Sequence, residues 1–303
     1  MSRNLESNMP SDLFYIINFS CAIIASIIGL TFSFTLIIII ITNQQCHSMS
    51  NLLACNTSVA VIFYLILTIS ASIYGFRQDW TWNSPLCTFR AYSFVVTLAA
   101  VCYSFSIQSL SRLFFVIHYK RRYLLTWRTH VIMIIFNWLI SSSIPMVPLF
   151  IDGSLGFEKE SRTCIVKTNA FLAAIYCMIM IIGIPLCVSI MVYCSILYHV
   201  RQSTYRILRS DQNINKYLTI QNAKRELKLV RHILIQIVCA SCGGIIFLIN
   251  VFWQALSEIP LPKPMYLLGI NLTTMGVSLM TIAHFMLNTQ VKKIVCRYSC
   301  NCC

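Results

Sequence analysis

Cys87 and Cys164 each sit at the polar margin of an apolar run, Cys164 between Thr163 and Ile165. Two thiols on an oxidising side of a membrane pair if they lie close. Closing a loop of that length removes about 4–5 kcal/mol of unfolded-chain entropy in the simple chain model; two free thiols are the alternative. Arg112, in Ser111-Arg112-Leu113, lies near the end of a long apolar run. A guanidinium at the centre of a membrane helix costs about 2.5–3.5 kcal/mol, less near the end. It can snorkel to the interface, but Lys120, Arg121 and Arg122 just beyond already anchor that end, so Arg112 is expected to face other helices. The tail carries Cys296, Cys300, Cys302 and Cys303 after Lys292 and Lys293. Juxtamembrane cysteines of this kind are candidates for S-palmitoylation, here Cys300, Cys302 and Cys303 above all, with unmodified thiols as the alternative. No cluster of His, Asp and Glu suggests a catalytic centre, a metal site or a bound cofactor, so no catalytic residue is assigned.

The elements that must position these groups are membrane helices. The chain is 57% hydrophobic and 11% charged, with mean hydropathy +0.73, where a soluble domain carries about 25% charged residues. A spanning helix needs about 20 mostly apolar residues. Seven windows qualify, at about 14–42, 50–75, 84–118, 129–151, 170–199, 227–254 and 264–288. The first run ends in Ile37 to Ile41 without a small-residue cleavage site and reads as a retained helix. With the N-terminus outside, six Lys and Arg fall in outer segments and fifteen in inner ones, leaving Arg90 and Arg112 within the third helix. This asymmetry sets the orientation and accounts for the net charge of +14 without nucleic acid. Residues 1–13 then form an outer tail, 14–288 one membrane domain, and 289–303 an inner tail whose Val291, Ile294 and Val295 suggest a short amphipathic helix. The expected fold is an all-α seven-transmembrane-helix bundle, multi-pass in the bilayer. Pro185 frees a carbonyl inside helix five. The sequons at Asn18, Asn56 and Asn271 fall in or beside helices and are expected to stay unglycosylated, Asn18 being the least certain.

These landmarks together resemble the rhodopsin-like family of G-protein-coupled receptors over nearly the whole chain. Trp80 precedes Cys87 as in the family's first outer loop, and Arg112 matches the Arg of its Asp-Arg-Tyr motif. Trp138, Pro185 and Tyr193 match landmarks of helices four and five, and Asn51 and Asn56 those of helix two. The chain also departs from the pattern. Ser111 and Leu113 flank the Arg, Val61 stands at the sodium-site Asp, Gly243-Gly244-Ile245-Ile246 takes the place of Cys-Trp-x-Pro, and Met280 to His284 that of Asn-Pro-x-x-Tyr. The resemblance therefore implies a divergent receptor without a sodium site. It implies an activation switch of Arg112 with Tyr193, and an inactive-state ion pair between Arg112 and Glu226. It implies a ligand pocket near Phe94, Phe247 and Thr274, apolar and aromatic, suiting a peptide or a lipophilic small molecule. Its partners would be an extracellular ligand, a heterotrimeric G protein and the lipid bilayer, at the plasma membrane.

Three other classes compete. A transporter or channel calls for ionisable groups at mid-membrane and broken helices. Apart from Arg112 and the edge residue Arg90, the helices offer only neutral polar groups and His284. A membrane enzyme calls for a cluster of metal-binding or acid–base residues. A non-signalling seven-helix scaffold is harder to separate on sequence.

Overall fold

The computed structural model describes residues 12–77, 85–167, 169–208, 244–254, 256, 264–288, 291, 292 and 294. Trp80, Glu226, Gly243, Cys296, Cys300, Cys302, Cys303 and most of the predicted sixth helix lie outside the described residues. The helices are α1 (Asp12–Thr42), α2 (Met49–Arg77), α3 (Pro85–Val116), α4 (Trp127–Ser143), α5 (Met146–Leu149), α6 (Phe171–Met178), α7 (Ile184–Leu208), α8 (Gly244–Gln254) and α9 (Pro264–Leu287). A π-helical turn, Ile179–Gly183, joins α6 to α7. Six of the resulting helical rods among the described residues are long and apolar enough to cross a membrane, and α8 is a shorter apolar helix.

Their faces are sorted for lipid. α1 turns Ile16, Ile24, Ile27, Phe34, Ile38 and Ile41 outward and buries Phe19, Ala22, Ser26, Gly29 and Ser33. Lipid is as apolar as Leu, so close backbone approach and hydrogen bonds, not hydrophobicity, hold such helices together. Gly29 shows the closeness required: a Cβ there would stand 2.7 Å from Leu65 Cδ1 and 3.0 Å from Ser278 Oγ. Asn271 of α9 donates to Asn18 Oδ1 at 2.8 Å, and Asn18 donates to Phe14 O at 2.8 Å. Both amides are thus engaged between helices. Trp138 Nε1 donates to Asn56 Oδ1 at 3.0 Å, joining α4 to α2.

Helix four is shorter than the run 129–151 suggested. Pro145 has no N–H to continue the ladder, so α4 stops at Ser143 and a single turn, α5, follows. Tyr92 of α3 donates to the Ser142 carbonyl at 2.9 Å near this break. Helix five extends beyond position 199, to Leu208. The segment between α5 and α6 holds an antiparallel hairpin, β1 (Leu155–Glu158) with β2 (Thr163–Val166), in the register Leu155 with Val166 and Phe157 with Cys164.

At the opposite end, Asn51 donates to Cys46 O at 2.8 Å, Asn288 donates to Asn51 Oδ1 at 3.0 Å, and the Val291 N–H donates to Asn288 Oδ1 at 3.3 Å. This chain pins the turn between α1 and α2 to the end of α9. Burial pushes the Cys46 thiol up.

Candidate functional site

The hairpin lies over one end of the bundle and is held from two sides. Cys164 of β2 forms a disulfide with Cys87 in the first turn of α3. On the other side Arg162, at the end of the hairpin turn, bonds Asp12 Oδ1 at 3.0 Å and sets its guanidinium 3.9 Å from the centre of the Tyr15 ring. Tyr15 in turn donates to Glu160 O at 2.9 Å. Gly75 of α2 admits this arrangement, since a Cβ there would meet Phe19 at 2.6 Å and Arg162 O at 2.9 Å.

Beneath the hairpin is an apolar cavity of about 90 Å³, smaller than the usual drug-sized site. Ile165 and Val166 of β2 form its roof, Phe94, Val95 and Leu98 of α3 one wall, and Met178, Ile181 and Ile182 another. Gly244 and Phe247 of α8 with Gly269, Ile270 and Thr273 of α9 complete it. Among the described residues, the only ionisable lining group is the thiol of Cys177. Of the three residues expected at a pocket, Phe94 and Phe247 line this cavity. Thr274 does not: it is fully buried behind Phe94, with its hydroxyl 3.4 Å from Tyr64 Oη, and the Tyr64 and Phe94 rings pack at 5.2 Å.

Helix five changes register in the cavity wall itself. The Ile184 N–H bonds Ile179 O, one residue further back than an α-helix would take it. The Met180 carbonyl that it would otherwise have served accepts the Tyr103 hydroxyl at 2.9 Å instead. One turn on, Ser106 donates to Pro185 O at 2.9 Å. Two side chains of α3 thus supply bonds to carbonyls where the helix-five ladder is interrupted.

Tyr193 lies further along α7, buried with Val192 and Ile196 against Leu110, Leu113 and Val116 of α3. Arg112 is on the same stretch of α3. Its Nη1 is buried and finds no hydrogen-bond partner among the described residues. Ser111, which replaces the acid before the Arg, is committed elsewhere. Its Oγ lies 2.8 Å from Nε2 of His130, a fully buried residue of α4. The other ring nitrogen, Nδ1, is 2.9 Å from Thr126 O. A carbonyl only accepts, so Nδ1 donates to Thr126 O. Sequence reasoning passed over His130, whose partner Ser111 lies on another helix. Tyr103 carried no local signal at all.

Val61, at the sodium-site position, is buried with Tyr64 and Leu65. It borders a small second space whose polar lining among the described residues is Ser33, Thr57, Ser58, Thr281 and His284. Gln108 donates to Thr57 at 2.6 Å beside it.

No curated protein matches the chain. Among solved structures, squid rhodopsin superposes with a TM-score of 0.78 at 14% identity, covering 98% of this chain and 89% of its own. That likeness shows a seven-helix fold. The family described as 7 transmembrane receptor (rhodopsin family) matches residues 33–288. With the disulfide-held hairpin, the roofed cavity and Arg112 in the third helix, that match establishes that the chain belongs to the rhodopsin family of G-protein-coupled receptors.

Proposed function

We propose that the protein couples a small lipophilic ligand, held in the cavity under the hairpin, to a heterotrimeric G protein at the Arg112 end. The cavity carries this reading. It is apolar and roofed by a strand fixed at both flanks. A hairpin lying across the opening favours a small molecule over a peptide, which would need the mouth open. Loop charge supports an orientation with the N-terminus and hairpin outside and the basic segments inside, the chain crossing the plasma membrane as one domain over 14–288 between the tails 1–13 and 289–303. Ligand binding then shifts a population between two bundle states, and helix five, whose π turn lies in the cavity wall, carries the change towards Tyr193. In the resting state Glu226 holds Arg112. Acylation of Cys300, Cys302 and Cys303 fixes the tail to the inner leaflet.

The experiment is a ligand-library screen of the full chain with a promiscuous G protein, read as nucleotide exchange, beside Arg112→Ala and Glu226→Ala. Arg112→Ala should abolish the response and Glu226→Ala should raise basal exchange. A ligand response that survives Arg112→Ala would overturn the role given to the arginine. Ligand binding without any exchange would favour a non-signalling scaffold.

A further inference from the structure

The connection between α3 and α4 carries a charge that neither the cavity nor Arg112 uses. Lys120, Arg121, Arg122 and Arg128 are all exposed, and no Asp or Glu occurs in the sequence between Asp79 and Asp152 to offset them. Hydrogen bonds fold this stretch into one shape. The Arg121 N–H donates to His118 O at 2.9 Å and the Leu124 N–H to Arg121 O at 3.0 Å, and a 3-10 turn follows over Arg122–Leu125. The Tyr123 carbonyl accepts two hydroxyls, that of Thr126 at 2.9 Å and that of Thr129 at 2.8 Å. His130 Nδ1 donates to Thr126 O at 2.9 Å, and its Nε2 lies 2.8 Å from Ser111 Oγ. The turn is thereby bonded to the start of α4 and, through buried His130, to α3. Arg122, beside the twice-bonded Tyr123, and Arg128, beside Thr129, are held on one rim.

Two features say what that rim faces. Arg128 falls at helical spacing with Ile132, Ile135 and Leu139, all exposed, while the buried His130, Asn137 and Ser141 take the opposite face of α4. The guanidinium thus ends a stripe that meets acyl chains. Tyr119, Tyr123 and Trp127 are exposed around the cations, and such rings settle at the boundary between headgroups and acyl chains. A soluble anion or an acidic protein surface answers the charge but leaves the rings and Ile132 without an apolar neighbour. A phospholipid answers both.

Resting on the orientation proposed above, with this connection inside, we propose that residues 119–128 bind the headgroup of a polyanionic phospholipid of the inner leaflet, in chemical class a phosphorylated inositol lipid. Lys120, Arg121, Arg122 and Arg128 take its phosphates, and its acyl chains lie along Ile132 and Ile135. A turn that holds cations close together favours several charges on one headgroup over the same charges spread across many lipids.

The test is native mass spectrometry of the full chain in detergent micelles, reading the fraction that carries each added probe. The probes are phosphatidylinositol bisphosphate, phosphatidylserine and soluble inositol trisphosphate. The bisphosphate lipid should bind roughly tenfold more tightly than either of the others. Each cation near an anionic surface contributes about fivefold, so Arg122→Gln and Arg128→Gln should each weaken that lipid by about this factor. Changing Lys120, Arg121, Arg122 and Arg128 together to Gln should bring it down to phosphatidylserine. A control with the same loss of charge elsewhere in the chain, Arg206, Arg209, Lys216 and Lys224 all to Gln, should lose less than about twofold, because distant exposed charges are screened. The single variants change exposed side chains only, so they decide the matter even where the combined variant does not fold. Equal binding of the bisphosphate and serine lipids, or an equal loss in the control, would reduce the rim to general charge attraction and overturn the proposal. Soluble trisphosphate binding as tightly as the lipid would assign the rim to a free phosphate, and displacement of the lipid by polyglutamate at equal charge would assign it to an acidic protein; either would overturn it too. No G protein is present, so a negative result leaves coupling through Arg112 to the exchange assay, and a failed exchange assay leaves the lipid ranking to stand or fall by itself.

Discussion

Arg162 ties the hairpin to α1 from a backbone conformation that suits a different residue. Its φ is +54°, the left-handed region, where an L side chain costs on the order of 1 kcal/mol. Against that, the guanidinium over Tyr15 contributes about 0.5–1 kcal/mol. The bond to Asp12 adds at most a few tenths, because the Asp12 side chain is 78% exposed and solvent screens the pair. Arg162→Ala loses both contacts and keeps the strain, so the hairpin's hold on α1 weakens by about 1 kcal/mol, roughly fivefold in its opening equilibrium. Arg162→Gly loses the same contacts and relieves the strain, recovering about 0.4–1 kcal/mol relative to Ala. The expected order of protection is therefore Arg, then Gly, then Ala, although Gly is ordinarily the more disruptive substitution. Hydrogen exchange followed by mass spectrometry over residues 155–166 measures it directly. Faster exchange in Gly than in Ala would show that strain at position 162 does not govern the hairpin. Exchange in both variants equal to wild type would show that the tie to α1 does not hold it.

Three further outcomes follow from the same geometry. Replacing Cys87 and Cys164 together by Ser frees a loop with a sequence separation of 77; the simple chain model gives a ceiling of about 4–5 kcal/mol, so the unfolding temperature should drop markedly, and an unchanged one would refute the restraint. Tyr103→Phe strips the Met180 carbonyl of its donor and should cost about 1–2 kcal/mol in thermal unfolding; no change would mean that the carbonyl has another donor. A double-mutant cycle of Ser111→Ala with His130→Phe should show a coupling of about 0.5–1.5 kcal/mol, and strictly additive single losses would argue against the bond between them.

Much of the bundle was legible because lipid imposes a one-dimensional signal: every span must be an apolar run of sufficient length. The windows for α1, α2, α3 and α9 lie within a few residues of the helices. The early end of helix four was readable from Pro145, which had been taken as part of a longer run. The hairpin was not anticipated because its loop was read for one cysteine. Yet Leu155 to Glu158 and Thr163 to Val166, either side of a polar turn, carry a strand pair in plain view. Thr274, expected near a pocket, is buried with its hydroxyl 3.4 Å from Tyr64 Oη, a contact across helices that sequence position does not show. Tyr103 and His130 act through residues on other helices, so only the assembled bundle reveals them.

The π turn at Ile179–Gly183 amounts to one residue more than an α-helix of the same rise needs. Its consequence reaches alignment and evolution. Deleting a single residue there would bring the span back to α-helical pitch and leave both flanking segments in phase. The same deletion elsewhere in helix five would rotate one flank against the other by about 100°, since a turn takes about 3.6 residues. A length difference between this chain and a relative in helix five is therefore best placed inside the membrane span at 179–183, where the helix has a removable residue, and not in the adjoining loops.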